Sequence, residues 1–159
     1  MIMPDRVLAT LGVGANLGDA RAAVLQAIQD IAALPQTEVR ASSSLYASAP
    51  LDADGPDYVN AVVQVRTALS PDALLAALQA VEQQAGRLRP YRNAPRTLDL
   101  DILLYGELRL TRSDLHIPHP RMWQRAFVVV PLAEIAPHMV SAAQIQALAG
   151  QSVRRLDVG

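Results

Sequence analysis

Short apolar strands and two amphipathic helices follow one another in the order β-α-β-β-α-β, the pattern of a split βαβ, or ferredoxin-like, α+β domain. Such a domain is an antiparallel sheet with both helices packed on one face, and here a C-terminal helical extension follows. The other sheet face is left open for a site. Three observations predict this arrangement: strand-like alternation ending at turn residues, two helical stripes with recognisable ends, and the lack of any repeat, heptad or low-complexity tract. Residues 1–159 are expected to form a single domain, because a chain of this length with 51% apolar content can bury one core.

The first strand runs from Arg6 to Gly14, with Val7, Leu8, Leu11 and Val13 as its apolar positions, and ends in Gly12-Val13-Gly14-Ala15-Asn16-Leu17-Gly18. Leu17 stands where a dinucleotide fingerprint needs its third glycine, and no Gly-Lys-Ser/Thr is present, so both phosphate-loop motifs are excluded. The loop is either a turn with unusual backbone angles or a bare backbone that approaches a flat ligand. Asp19 is a natural N-cap for a helix carrying Val24, Leu25, Ile28, Ile31 and Ala32 and stopped by Pro35. Glu38 to Ser48 reads as one alternating strand, 52–57 as a loop, and Tyr58 to Thr67 as a third strand. On that strand Tyr58 and Asn60 share a face, which suits a planar heterocycle with hydrogen-bonding edges or a plain half-exposed sheet.

Ser70, Pro71 and Gly86 bound a second helix with core positions Leu74, Leu75, Leu78 and Val81. Gln79 and Glu82 share a flank near its end. Glu82 either holds an arginine or a ribose, or is a solvated helix residue. Gly86 to Pro95 is a long connection without periodicity. Thr97 to Tyr105 is the fourth strand, and Leu115 to Pro120 opens a short helical stretch through Arg125. Phe127 to Leu132 is strongly apolar, and Ser141 to Gly159 reads as a short helix with a fraying end. His116 and His119 lack a Cys or third His to complete a zinc set, so His119 acts on phosphate oxygens or simply caps a turn.

Composition narrows the chemistry. Cysteine is absent, which excludes disulfides, thiolate nucleophiles and Zn–Cys sites and is compatible with a cytoplasmic location. No apolar run approaches the roughly 20 residues of a membrane span, and no targeting signal is expected at the start of the chain. All fourteen basic residues are arginine, so any phosphate must be met by guanidinium or backbone. Eight of them fall between positions 87 and 125 of a chain with formal charge −1, a local field better suited to a small polyanion than to a nucleic acid. Small-molecule substrates are therefore expected, and a monomer is expected because no heptad or long apolar surface stripe is left over once the core is assigned.

The most informative stretch is Arg92-Asn93-Ala94-Pro95-Arg96-Thr97-Leu98-Asp99-Leu100-Asp101-Ile102. On a strand, Asp99 and Asp101 project together, roughly 7 Å apart by the rise per residue, while Leu98, Leu100 and Ile102 enter the core. Two hard oxygen donors in that layout suit one or two Mg²⁺ ions with positions left for water and substrate phosphates. The alternative is a half-exposed strand with two solvated aspartates, which the flanking Arg92 and Arg96 disfavour.

Taken in order, Gly14-x-Asn16-Leu17-Gly18, Pro50-Leu51, Asp57-Tyr58-Val59-Asn60, Glu82 with Gly86-Arg87, Pro95-Arg96-Thr97-Leu98-Asp99-Leu100-Asp101, Ile117-Pro118-His119-Pro120, Arg125-Ala126-Phe127 and Pro131-Leu132 resemble the 6-hydroxymethyl-7,8-dihydropterin pyrophosphokinases of folate biosynthesis. The resemblance covers roughly Val7 to Pro137. It implies transfer of the β,γ-pyrophosphoryl unit of ATP to the pterin hydroxymethyl oxygen with release of AMP. Asp99 and Asp101 then correspond to ligands of two Mg²⁺ ions, and an aspartate beside the attacking hydroxyl is placed to take its proton. By the same resemblance Arg89 and Arg96 are catalytic, Gly14, Ser48, Leu51, Tyr58, Asn60 and Phe127 line the pterin pocket, and Gln79, Glu82, Arg89, Arg96, Ile102, His119 and Arg125 hold ATP. The chain departs from the family pattern at Ala15, where serine is frequent, at Ala49, where proline is frequent, and at Asn93, where tryptophan is common. A non-catalytic nucleotide-sensing module and a phosphotransferase acting on another bicyclic substrate are the competing readings.

Overall fold

The computed structural model describes residues 6–16, 19–49, 57–86 and 98–156. Three long antiparallel strands make its centre: β1 (Val7–Ala15) lies between β4 (Tyr58–Thr67) and the edge strand β5 (Asp99–Tyr105). On the far side of β4, β2 (Thr37–Ser42) and β3 (Tyr46–Ser48) pair with successive parts of the same strand. Helices α1 (Ala20–Ala32) and α2 (Pro71–Gly86) are the two crossovers. This is the expected ferredoxin-like split βαβ.

Strand alternation builds the main core. Ala9, Leu11, Val13 and Ala15 of β1, Ala61, Val63 and Val65 of β4, and Leu98, Leu100 and Ile102 of β5 and the residue before it bury against Val24, Ala27 and Ile31 of α1 and Leu74 and Leu78 of α2. The helices begin where their caps stand. Asp19 accepts the Ala22 N–H at 3.0 Å, and the Ser70 hydroxyl accepts the Ala73 N–H at 3.1 Å. Leu25 and Leu8, expected in this core, are 48% and 38% exposed. Leu25 sits beside the 24–27–31 stripe, and Leu8 lies on the opposite sheet face, in register with exposed Arg66.

Three further expectations need correction. The strand read from Glu38 to Ser48 is broken, because the Ser43 hydroxyl accepts the Val62 N–H at 2.9 Å and the chain jogs before β3 begins. The apolar run at Phe127 is helical, part of α3 (Ala126–Ile135), which follows short strands β6 (Leu110–Thr111) and β7 (His116–Ile117) and a 3₁₀ turn at Met122–Gln124. The expected helical stretch through Arg125 is reduced to that turn. Beyond α4 (Ala142–Ala147), the tail does not fray at once: Val153–Arg155 forms β8, paired with β3.

Helix α3 covers half of the sheet face expected to be open. Val128 and Leu132 join Met122 and Ala136 in a second core over Val62 and Leu103. The layer is fastened at its far end by Glu134, whose carboxylate accepts the Ser44 N–H at 3.0 Å, the Ser44 hydroxyl at 2.9 Å and the Tyr46 hydroxyl at 2.7 Å, with Arg155 at 3.8 Å. Burial raises the Glu134 pKa, but the hydrogen bonds from Tyr46 and Ser44 and the charge of Arg155 outweigh it and hold the carboxyl below its ordinary value. The Tyr46 phenol is pushed up to about 12 by burial and by Glu134.

Glu134→Ala should cost about 2 kcal/mol in denaturant unfolding, since it orphans two donors on the β2–β3 link and the Tyr46 hydroxyl. Because the folded carboxyl titrates below its unfolded value, this contribution is complete above the ordinary carboxylate pKa and is lost as pH falls through the folded one. Wild type and variant should therefore converge in stability on acidification.

Candidate active site

The uncovered half of the second face is a cleft, and its floor follows from the register of three strands. Gly14 of β1 pairs with Asp99 on one side and Asn60 on the other, while Gly12 pairs with Asp101 and Val62. Residues two apart share a face, so Asp99, Asp101 and Leu103 rise from β5 beside a β1 floor with no side chains. A cleft of about 290 Å³ results, lined by Gly12, Gly14, Asp99, Asp101 and Leu103, by Ser48, Ala49, Tyr58 and Val62 across the sheet, and by Arg125, Phe127 and Val128 at the start of α3. Both aspartates are exposed to it.

At one end stands a polar pair on an aromatic rim. The Asn60 side chain is buried and donates from Nδ2 to Ser48 Oγ at 2.7 Å. Gly14 makes room for it: a β-carbon there would lie 3.1 Å from Asn60 Oδ1. Tyr58 and Phe127 supply flat apolar surface above this pair, and the Arg125 guanidinium carbon sits 5.4 Å from the Phe127 ring centroid.

The other end is set by β5 and the turn after β7. Glu82 Oε2 of α2 accepts the Leu100 N–H at 2.8 Å, an amide that faces outward from the sheet edge between the two aspartates. His119 donates its backbone N–H to Leu103 O at 2.9 Å, which anchors it to the same strand. Its Nδ1 accepts the Arg121 N–H at 3.2 Å, so the ring is neutral with its proton on Nε2. Burial lowers its pKa; the charge of Asp101 opposes this and those of Arg125, Arg121 and His116 add to it. His119 thus lies within reach of the charges of both Asp101 and Arg125.

The structure therefore brings together Asp99, Asp101, Gly14, Ser48, Tyr58, Phe127 and Arg125, with Asn60 bonded to Ser48 and His119 within reach of the Asp101 charge. Ile102 buries its side chain in the main core, leaving only main-chain groups for a ligand. Glu82 braces the strand with one oxygen, and Gln79 is an exposed residue of α2. Leu51, Arg89 and Arg96 lie outside the described residues, as do Leu17, Gly18, Arg92 and Asn93. Gly12, Leu103, Val62 and Val128 line the cleft and were not expected. Extending the two-residue period from Gly14 and from Asp101 would have found the first two.

Residues 10–137 match the family model for 7,8-dihydro-6-hydroxymethylpterin-pyrophosphokinase. The chain belongs to this family. Among its relatives, the 2-amino-4-hydroxy-6-hydroxymethyldihydropteridine pyrophosphokinase of Synechocystis is 46% identical over 83% of this chain and 68% of that protein. The enzyme of the same name from Pseudomonas aeruginosa is 47% identical over 81% of this chain and 80% of that one. The fold also matches solved HPPK-DHPS structures. Wild-type Plasmodium falciparum HPPK-DHPS with pteroate gives a TM-score of 0.69 at 14% identity, covering 93% of this chain. The chain spans 42% of that solved chain.

The two floor glycines should behave differently. An alanine methyl at Gly12 would meet Leu103 at 3.5 Å, an ordinary contact, whereas at Gly14 it presses on Asn60. Gly14→Ala should cost about 1 kcal/mol by overpacking and Gly12→Ala less than about 0.5, as read by urea unfolding.

Proposed function

We propose that this cleft is the active site at which the chain carries out the pyrophosphokinase reaction of its family, with Asp99 and Asp101 holding two Mg²⁺ ions against the phosphates of ATP. The chain transfers the β,γ-pyrophosphoryl group of ATP to the hydroxymethyl oxygen of 6-hydroxymethyl-7,8-dihydropterin, and AMP leaves. The observation that carries the assignment is the pair of carboxylates beside a bare glycine floor, in a cleft also lined by Tyr58, Phe127 and Arg125.

The donor set fits magnesium. Two exposed carboxylates supply hard oxygens, and among the described residues no third acidic or histidine side chain clusters with them, which suits an ion that keeps water and phosphate oxygens in its shell. When bound, Mg²⁺ would neutralise charge on the transferring phosphates. At the other end Ser48 and Asn60 meet the polar edge of the pterin, while Tyr58 and Phe127 hold its flat faces. Arg125 and His119 meet phosphate oxygens, and Arg89 and Arg96 add to the same charge. The reaction demands in-line placement of hydroxyl and β-phosphorus more than covalent help from the protein, and a rigid three-strand floor supplies that placement. One of the two carboxylates takes the hydroxyl proton.

We also place residues 1–159 as one catalytic domain, monomeric and cytoplasmic. In support, the exposed large apolar side chains among the described residues, Leu8, Leu25, Leu108 and Ile145, belong to four different segments. No helix of the described residues is long and apolar enough to cross a membrane.

Asp99→Ala and Asp101→Ala should each lower AMP formation from ATP and 6-hydroxymethyl-7,8-dihydropterin more than about 100-fold, with melting temperatures close to wild type because neither side chain is buried. Turnover at the wild-type rate in either variant would overturn the assignment.

A further inference from the structure

Arg125 and Phe127 stand at the N-terminus of α3, where the helix lacks a cap of its own. The N-cap residue is Arg125 itself, in extended conformation with φ −119° and ψ 114°, and its side chain makes no capping hydrogen bond. The first amides of a helix have no partner within it, and an arginine contributes no acceptor for them. The missing acceptor comes from elsewhere in the chain. Gln151, between α4 and β8, accepts the Ala126 N–H with Oε1 at 2.8 Å and donates from Nε2 to the Gln124 carbonyl at 2.8 Å. One carboxamide thus grips the backbone on both sides of Arg125.

The grip lands on the N-terminal side of Arg125, whose carbonyl is already held by the Val128 and Val129 N–H groups at 3.0 Å each. The Arg125 N–H reaches Met122 O only at 3.4 Å, the longest contact around this turn. The extended angles at Arg125 are what carry its side chain away from the helix and over the Phe127 ring, toward the cleft. With the carboxamide removed, the Gln124 carbonyl and the Ala126 amide turn to water, and the angle at which Arg125 leaves the chain rests on the bonds its carbonyl accepts from Val128 and Val129, its long N–H contact to Met122 O and its stacking on Phe127. Gln151 itself is absent from the cleft lining, and it lies beyond residues 10–137, the part matched to the family.

We propose that Gln151 is a positioning residue that clamps Arg125 in its phosphate-facing orientation, so that the segment after α4 tunes the affinity of the site for ATP. The proposal rests on the reading of Arg125 given under Proposed function. Gln151→Ala should raise the KM for ATP about tenfold in the AMP-forming assay, with a much smaller change in kcat at saturating ATP. The control is Gln144→Ala, which removes a hydrogen bond from the capping box of α4 in the same C-terminal segment but touches nothing near Arg125. It should lower the melting temperature and leave KM unchanged.

The double variant Arg125→Ala/Gln151→Ala should have the ATP KM of Arg125→Ala alone, within about twofold, because the clamp acts only through that side chain. If the alanine variant is too unstable to assay, Gln151→Met, which keeps the side-chain length and loses both hydrogen bonds, carries the same comparison. A wild-type KM in a folded Gln151 variant while Arg125→Ala is impaired would overturn the clamp alone. So would an equal rise in Gln144→Ala, or multiplicative effects in the double variant. A wild-type KM in Arg125→Ala would instead overturn the phosphate role of Arg125, and the clamp with it.

Discussion

The antiparallel register between β1 and its two neighbours is the constraint on which the site depends. Gly12 and Gly14 each stand beside an aspartate of β5, and a shift of one residue would turn both aspartates into the helix-side core and bring Leu100 and Ile102 onto the cleft floor. The leucines and isoleucine that alternate with the aspartates prevent such a shift. Leu98, Leu100 and Ile102 are nearly fully buried, and each side chain moved into water would cost about 2 kcal/mol. Hydrophobic packing on one face of β5 thus positions the charged chemistry on the other.

The second layer closes what the sheet leaves open. Helix α3 is attached at both ends to segments remote in sequence: its own Glu134 ties the C-terminal end to Ser44 and Tyr46, and Gln151 grips the first turn. Between them Val128 and Leu132 pack over Val62 and Leu103, so the helix cannot rise without opening a core. Phe127 and Arg125 are held over the cleft by that arrangement rather than by a loop. Phe127, proposed to hold the ring, and Arg125, proposed to meet phosphates, accordingly share one mount, which suits a reaction in which two substrates must meet at a fixed separation.

Local periodicity carried much of the fold in the sequence. The face shared by Asp99 and Asp101 needs only the two-residue pleat, the ends of α1 and α2 are marked by Asp19 and Ser70, and β4 has the predicted bounds Tyr58–Thr67. What escaped has no local signal. Phe127 to Leu132 is apolar all round, carries three consecutive valines and a proline, and becomes helical because it is buried against a second core. The break at Ser43 depends on a hydroxyl replacing a strand hydrogen bond, and β8 is three residues that pair only because β3 offers an edge. Glu82, read as holding an arginine or a ribose or as solvated, accepts a backbone amide of β5, a bond that no spacing reveals. For Gln151 the partners lie 25 and 27 residues away, beyond any pattern that composition or spacing can reveal.

In the function proposed for this cleft, the two carboxylates beside the glycine floor gather the metal ions with the phosphates of ATP. The most direct test of that role is the number of Mn²⁺ ions, substituted for Mg²⁺ and counted by electron paramagnetic resonance, that bind the protein together with a non-hydrolysable ATP analogue and the pterin. Two ions should bind per wild-type chain and fewer in both Asp99→Asn and Asp101→Asn, with ring binding retained. Full occupancy in either variant would contradict it.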